Sequence, residues 1–255
     1  MAYRFVVLKT PWWECIAAGV PYLRAPGDCM WTVPVTDYRG PNDGPGAFDG
    51  QTDVIMNPHR APELAATWDA NADRTILYEA ENLLVALGWR ARSEVIRAAA
   101  PRCRWWNYSK VNAAVFGDEP RPLALPSLPT APAAAPKDLD VVFVGSMHPR
   151  RLEILDRLRR AGMRVAVGGP STTPLFGAEL AAFEARAHVV LSMHYYTPGV
   201  FASFRVVPAV ARGAVVVAEA SEGNEGAEFC RRTAPYGKLA STVLETVFEL
   251  EGDPA

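Results

Sequence analysis

The stretch from Val189 to Glu219 limits the possible folds of this chain more than any other. It reads VVLSMHYYTPGVFASFRVVPAVARGAVVVAE, in which two short apolar runs flank a loop and an apolar helical segment that contains Arg205. A buried strand, a helix and a second buried strand in this order are typical of a βαβ unit in a parallel sheet. Ligands of such sheets bind where strands end and helices begin, so His194, Arg205 and Glu219 are predicted to converge on one anionic ligand.

The same alternation of strands and helices continues through the second half of the chain, from Val141 to Leu250. The first half shows it more weakly, beginning with the apolar run RFVVL. Between the halves, residues 119–136 contain six prolines and a run of alanines, which is typical of a linker. We therefore predict an α/β protein with two Rossmann-like parallel-sheet domains facing a cleft. Their predicted ranges are 1–118 and 138–255, joined by a Pro/Ala-rich linker at 119–137.

Three residues predict local features of the first half. Pro34 removes a backbone donor from the run Trp31–Thr36, which predicts a strand at an edge or irregular position. Ser93 is expected to cap one helix and Ser109 to open the next, since serine side chains accept hydrogen bonds from free N–H groups at helix starts.

Composition argues against several classes of protein. The chain has 255 residues with 26 Lys and Arg against 28 Asp and Glu, so it lacks the overall basic charge of many nucleic-acid-binding proteins. Its four cysteines show no metal-ligand spacing and are interpreted as reduced thiols. No apolar run approaches the ~18 residues of a membrane span, and the N-terminal run is too short for a secretory signal. These features predict a cytoplasmic protein.

The turn after the first strand of the second half could hold a phosphate. Gly145 and Ser146 end that strand, just before the helix start that contains Arg150. A glycine there allows close backbone approach, and free N–H groups at a helix start bind anions. The segment matches neither GxGxxG nor GxxxxGK[ST], and an ordinary strand-to-helix turn is an equal alternative.

Arg205 and Glu219 suggest a nucleotide. Arginine is rarely buried in an apolar helix unless it is paired, and its planar fork suits a diphosphate. An internal salt bridge to Glu219 is the alternative. Glu219 ends a strand, where a carboxylate can accept both hydroxyls of a ribose. His194 follows a strand directly; a lone histidine more commonly has a structural role, and this position raises the expectation of a functional one.

Six segments between Thr75 and Leu239 resemble a known family. They are ILYEAENL, RWWNYSKVN, DVVFVGS followed by PRR, VVLSMHYY, FASFRVVPAVARGAVVVAE and APYGKL. They are similar to segments of the compact bacterial and phage glycosyltransferases of the GT-B fold. The resemblance implies that the second domain binds a nucleotide-sugar, taken here as a UDP-sugar. The implied donor-binding residues are Gly145, Ser146, Arg150, His194, Tyr195, Arg205 and Glu219.

This resemblance predicts transfer of a hexosyl group to an acceptor hydroxyl with no cofactor besides the sugar donor. Arg205 and the helix starts can stabilise the leaving diphosphate without a metal. The DxD spacing at Asp138 to Asp140 precedes a strand and lies at the opposite edge of the sheet, so no metal site is expected. An inverting reaction needs a general base in the first domain, whereas a retaining reaction needs none. The candidate bases are Glu79, which is favoured, and Glu14, Asp37 and Glu81.

The acceptor is open between two possibilities. It is a small-molecule, glycan or lipid-linked hydroxyl, or it is a hydroxymethylated base in DNA, as the resemblance to phage enzymes permits. The segment Arg90–Lys110 interleaves basic and aromatic residues, which can track a nucleic-acid backbone, although a solvated helix face is the more common explanation. Candidate acceptor contacts are Arg104, Trp105 and Trp106. A third hypothesis is a non-catalytic nucleotide-sugar binding module, because Met193 stands where the family commonly has asparagine.

Overall fold

A computed structural model describes residues 3–9, 13–23, 28–41, 51–85, 87–125, 136–169 and 175–252. Contacts divide the chain into two units, Met1–Ala124 and Leu125–Ala255, with the boundary inside the predicted linker. No helix among the described residues is long and apolar enough to cross a membrane.

The described part of unit 1 is built on a parallel sheet with the strand order β2-β1-β3-β4-β5-β6. Its strands are β1 (Tyr3–Lys9), β2 (Cys29–Pro34), β3 (Thr52–Met56), β4 (Thr75–Glu79), β5 (Arg104–Asn107) and β6 (Glu119–Pro120). Its helices are α1 (Trp13–Gly19), α2 (Ala65–Ala70), α3 (Leu87–Ala99) and α4 (Lys110–Phe116). Every residue of β3 and β4 is buried, as expected for central strands of a sheet covered on both faces.

The predicted local features of unit 1 have different outcomes. Pro34 ends β2, which pairs with β1 at the edge of the sheet, so the edge-strand prediction is confirmed. The hydroxyl of Ser109 accepts hydrogen bonds from the N–H groups of Val111 and Asn112, which confirms it as the cap of α4. The cap predicted at Ser93 is wrong, because α3 begins at Leu87 and Ser93 is buried inside it.

The end of unit 1 extends into the predicted linker. Glu119 and Pro120 pair with Trp106 and Asn107 as the last strand of the sheet. A proline is tolerated there because an edge strand has one side free of ladder hydrogen bonds.

The described part of unit 2 is built on a second parallel sheet with the order β11-β10-β9-β7-β8. Its strands are β7 (Leu139–Val144), β8 (Val165–Gly168), β9 (Ala187–Ser192), β10 (Val216–Glu219) and β11 (Arg232–Ala234). Its helices are α5 (Pro149–Arg160), α6 (Gly177–Ala185), α7 (Ser203–Ala211) and α8 (Tyr236–Gly252). The core packs Phe143, Leu155, Leu191 and Val243 between the sheet and its helices. The predicted α/β class with two parallel sheets is confirmed.

A buried ion pair joins the first strands of unit 1. Arg4 on β1 donates through Nε to Oδ1 of Asp53 on β3 at 2.8 Å, and through Nη2 to Oδ2 at 2.9 Å. Both side chains are 0% exposed, and the hydroxyl of Tyr38 donates to the same carboxylate at 2.9 Å. Burial next to this carboxylate raises the pKa of Tyr38. The carboxylate therefore compensates the buried charge of Arg4 directly.

Candidate functional site

The strand order of unit 2 creates a crevice at the carboxyl ends of β7 and β9. From β7 the chain passes to β8 on one side and then to β9 on the other, so the direction of strand succession reverses between β7 and β9. Open α/β sheets bind ligands at such a reversal. Gly145 directly follows β7 and His194 lies two residues beyond β9, which places two of the predicted donor residues at this point.

Close backbone packing explains the glycines beside this crevice. A β-carbon on Gly169, which has φ of +133°, would lie 2.7 Å from the backbone N and O of Gly145. A β-carbon on Gly145, at φ of +155°, would lie 3.4 Å from Nη1 of Arg151 and 3.4 Å from Nη2 of Arg205. The tightest contact of that β-carbon would be 3.1 Å, with Cζ of Phe143, whereas the two guanidinium groups would lie at ordinary van der Waals distance from the same strand end.

Arg151 is held in the crevice by backbone carbonyls. It donates through Nη1 to Ser146 O at 2.7 Å, through Nη2 to Met193 O at 2.6 Å and through Nε to His194 O at 3.2 Å. The residue is 3% exposed. Burial lowers the pKa of Arg151 to about 9, and the positive charge of Arg205 adds to this effect. The guanidinium remains charged at neutral pH, and within the described residues its hydrogen bonds go to neutral groups.

Arg150 and Glu219, both predicted to bind the donor, are paired with each other. Arg150 Nη1 donates to Glu219 Oε2 at 2.7 Å, and Nη2 donates to Oε1. The guanidinium carbon lies 4.0 Å from the ring centroid of Tyr236, whose hydroxyl donates to Arg150 O at 2.8 Å. The hydrogen bond with Glu219 raises the pKa of Arg150. The salt bridge that the sequence suggested as an alternative joined Glu219 to Arg205, whereas in the structure Glu219 pairs with Arg150.

His194 connects these groups through its main chain. Its N–H donates to Glu219 Oε2 at 3.0 Å, and its carbonyl accepts from both Arg150 and Arg151. Its Nε2 lies 3.3 Å from the hydroxyl oxygen of Ser221. Burial lowers the pKa of His194, with Glu219 acting in the opposite direction, so the imidazole is neutral at pH 7.

Tyr195 belongs to an aromatic cluster at the same edge. Its ring centroid is 5.0 Å from that of His148 and 4.9 Å from that of Tyr196. Its side chain is 40% exposed and lies 5.2 Å from the guanidinium carbon of Arg151. An exposed aromatic ring at a strand end can stack on a base or a sugar.

The favoured general base lies in a buried pair in unit 1. Oε1 of Glu79 lies 2.8 Å from Nδ1 of His59, and both side chains are 0% exposed. The same oxygen accepts from the N–H of Glu81 at 3.2 Å, so Glu79 and Glu81 share one site. Glu81 is paired with Arg60 at 3.3 Å, and its burial raises its pKa. Glu79 therefore has no exposed surface with which to contact an acceptor in this conformation.

The other two candidate bases occupy different elements of unit 1. Glu14 is a half-buried residue in the first turn of α1. Asp37 is exposed beyond the end of β2 and accepts a hydrogen bond from the hydroxyl of Thr36 at 3.0 Å. Their assignment as bases stays a prediction.

The predicted acceptor contacts are partly built into the fold of unit 1. Trp106 is buried and donates through Nε1 to Glu119 at 2.8 Å, whereas Arg104 is exposed. Trp105 lies under the guanidinium of Arg97 at 3.8 Å. Three basic residues of the 90–110 segment form ion pairs within unit 1, namely Arg90 with Glu94, Arg97 with Asp118 and Arg102 with Asp69. This removes part of the basis for a DNA acceptor.

The DxD residues form ion pairs at the amino edge of the second sheet. Asp138 pairs with Arg186 at 2.5 Å, and Asp140 accepts from Arg164 N and Nε at 2.6 and 2.9 Å. Oxygen or nitrogen atoms of Asp140, His188 and Glu251 lie within 4.8 Å of one another, a spacing that could hold a metal ion. The arginine contacts already supply positive charge to Asp140, and metal independence stays a prediction.

Four residues that lie around these sites were not predicted from the sequence as site residues. Arg151 follows Arg150 in the PRR segment, and Tyr236 lies in APYGKL, so both belong to segments that carry the family resemblance. Ser221 follows β10, and His59 lies in a short 3-10 helix after β3; both had no signal except that they follow apolar strands.

Comparisons with known proteins give structural neighbours at low similarity. No family model matches the sequence, and no curated protein matches it. One similar structure is SsfS6, a glycosyltransferase of Streptomyces sp. SF2575, with 10% identity and a TM-score of 0.39, covering 98% of this chain and 94% of that one. Another is the glycotransferase of kitacinnamycin, with 11% identity, a TM-score of 0.37 and coverage of 98% and 93%. At these values the similarity assigns no activity to this chain.

Proposed function

We propose that this chain is a glycosyltransferase that transfers a sugar from a nucleoside-diphosphate sugar, held in unit 2, to an acceptor hydroxyl. The observation that carries the proposal is the approach of Arg151 and Arg205 to Gly145 at the reversal point of the sheet. This is the position at which open α/β sheets bind ligands, and two guanidiniums there match the two negative groups of a diphosphate.

The electrostatics of Arg151 support an anionic ligand. A buried charge is costly unless an opposite charge or strong hydrogen bonds compensate it, and Arg151 is beside the like charge of Arg205. Glu219 offsets only part of this cost, and a bound diphosphate would add negative charge beside the guanidinium. When the bond between the anomeric carbon and the diphosphate oxygen breaks, charge grows on the leaving group, and fixed guanidiniums stabilise it without a metal.

The surrounding groups fit the remaining parts of such a donor. Glu219 ends β10 at the same edge, where it can accept ribose hydroxyls. The exposed ring of Tyr195 offers a stacking surface, and the start of α5 lies just beyond Ser146. Each of these groups lies within unit 2.

The test is Arg205→Gln, with Arg160→Gln as the matched control. Arg160 is an exposed arginine at the far end of α5, so its loss removes the same charge from the unit but leaves the crevice intact. UDP and UDP-glucose binding would be measured by titration calorimetry, and release of UDP from UDP-glucose by a coupled assay. We expect Arg205→Gln to weaken binding by about 10- to 100-fold, the size of a lost charge-assisted hydrogen bond, and the control by less than about twofold.

Three outcomes separate the hypotheses. Equal affinity and turnover for wild type and Arg205→Gln would refute the site. Binding of UDP-glucose without release of UDP, in the presence or absence of acceptors, would favour the non-catalytic module. Salt-sensitive transfer to DNA containing hydroxymethylated bases would identify the DNA acceptor, because phosphate contacts release counterions.

A further inference from the structure

Two residues predicted to contact the donor form an ion pair with each other in the structure. Arg150 was expected at the phosphates and Glu219 at the ribose, yet the guanidinium of one forms a two-point pair with the carboxylate of the other. Both groups are mostly buried, with side chains 19% and 7% exposed. What each can offer to a donor while paired depends on the hydrogen-bonding positions that it has left.

The hydrogen-bonding capacity of Glu219 sets a limit on what it can accept. An ionised carboxylate has about four acceptor positions on its two oxygens. In the structure Glu219 already accepts from Nη1 and Nη2 of Arg150 and from the N–H of His194. One position remains, whereas the two vicinal hydroxyls of a ribose require two.

Arg150 also lies where a second anion would attract it. Its Nη1 is 3.3 Å from His194 O, the carbonyl that Arg151 Nε contacts at 3.2 Å, so the two guanidiniums are neighbours. A diphosphate bound by Arg151 would therefore lie close to the guanidinium of Arg150. The face of Tyr236, 4.0 Å away, supports that guanidinium by a contact that does not depend on Glu219.

We propose that Arg150 exchanges partners when a ribonucleotide binds, leaving Glu219 to the two ribose hydroxyls and moving to the diphosphate. This inference rests on the proposed function and adds a basis for selecting ribose over deoxyribose. A 2′-deoxyribose brings one hydroxyl, which fits the position that remains on Glu219, so Arg150 stays on the carboxylate. The 2′-hydroxyl and the contact between Arg150 and the phosphate are thus coupled.

The test compares ribonucleotides with their 2′-deoxy counterparts in wild type and in Arg150→Met. UDP and 2′-deoxy-UDP, and GDP and 2′-deoxy-GDP, would be titrated into the full chain, with Arg160→Met as control. We expect Arg150→Met to weaken the better-bound ribonucleotide by at least about tenfold and its deoxy counterpart by less than about threefold. The control should change neither affinity.

A purely structural role of Arg150 would give a different pattern of affinity losses. If Arg150 only holds Glu219 and His194 in place, both ligands lose affinity by the same factor, and this result would overturn the proposal. Where Arg150→Met fails to fold, Arg150→Lys keeps a charge beside Glu219 but cannot hold both oxygens, and the two losses are compared in the same way.

The two proposals fail in different ways. If none of these nucleotides binds or raises the melting temperature of the wild-type chain, the proposed function falls and the exchange falls with it. If nucleotides bind and Arg205→Gln lowers their affinity, the donor site stands. If, in addition, Arg150→Met lowers the affinities for the ribose and deoxyribose forms by the same factor, the exchange is wrong.

Discussion

Substitution of Gly199 by alanine tests the packing that fixes His194 at the crevice. A β-carbon on Gly199 would lie 2.2 Å from Cγ and Cδ2 of His194 and 2.7 Å from Nδ1. Ordinary van der Waals contact begins at 3.4 Å, so the imidazole must retreat by about 1.2 Å. Its main chain cannot follow, because the N–H is bonded to Glu219 and the carbonyl accepts from two arginines.

The expected cost is that of overpacking a buried site, about 1–3 kcal/mol. At about 2–4 °C per kcal/mol for a chain of this size, the melting temperature should fall by roughly 2–12 °C. Nucleotide affinity should fall with it, since the ring and the backbone that orders Arg150 and Arg151 belong to one residue. Thermal unfolding and calorimetric titration with UDP measure the two effects.

Gly237→Ala is the matched control for this substitution. No atom lies within 4 Å of a β-carbon at Gly237, which is the second residue of α8, so alanine there should be neutral or slightly stabilising. In His194→Ala the obstructing ring is absent, and adding Gly199→Ala should then cost little. Melting temperatures of Gly199→Ala and wild type within about 1 °C, or equal costs in the presence and absence of the His194 ring, would refute the reasoning.

Two further predictions concern charge. Asp53→Ala leaves Arg4 buried without its carboxylate and should lower the free energy of unfolding, measured in urea, by about 3–5 kcal/mol. The control Asp156→Ala breaks an exposed pair with Arg159 and should lower it by at most about 1 kcal/mol. Similar losses of stability in the two variants would contradict this account. Because burial lowers the pKa of His194 below its usual 6.5, the unfolded chain takes up its proton first, so stability should be lost as the pH falls below about 6.5. His194→Gln should lose less between pH 7.5 and 5.5 than wild type in thermal unfolding, and parallel curves would contradict the prediction.

The architecture of unit 2 was predictable because its cause is local. Continuous apolar runs such as Val189 to Ser192 can be buried on both faces only as central strands, and the helical segments between them fix a parallel connection. The cap at Ser109 and the edge position of Pro34 follow from single hydrogen-bonding groups and were also predictable. Ser93 failed because the same side-chain chemistry is compatible with a helix interior, where its hydroxyl accepts from Arg97 Nε at 3.4 Å.

Pairings between distant residues were not predictable to the same degree. Glu79 was correctly noticed at a strand end, but its partner His59 follows the neighbouring strand, and the contact depends on β3 and β4 being adjacent. Arg150 and Glu219 are 69 positions apart, and the sequence predicted separate contacts for them, with the phosphates and with the ribose. Sequence position indicates which polar groups reach the ligand edge of a sheet, whereas strand order decides which of them neutralise one another.

Two deeply buried arginines, Arg4 and Arg151, show how function can be separated from stability. Arg4 is fully buried and has a two-point contact with Asp53, so its charge is compensated by the fold itself. Arg151 is nearly as buried, but it is held by three carbonyls and lies next to Arg205, whose repulsion exceeds the attraction of Glu219. A stable fold gains little from that second arrangement, because dipoles compensate a buried charge less well than a carboxylate and the neighbouring charge opposes it. An anion that arrives from solution reverses both disadvantages, which is why we propose the donor site in the crevice of unit 2 and not at the buried Glu79–His59 pair of unit 1.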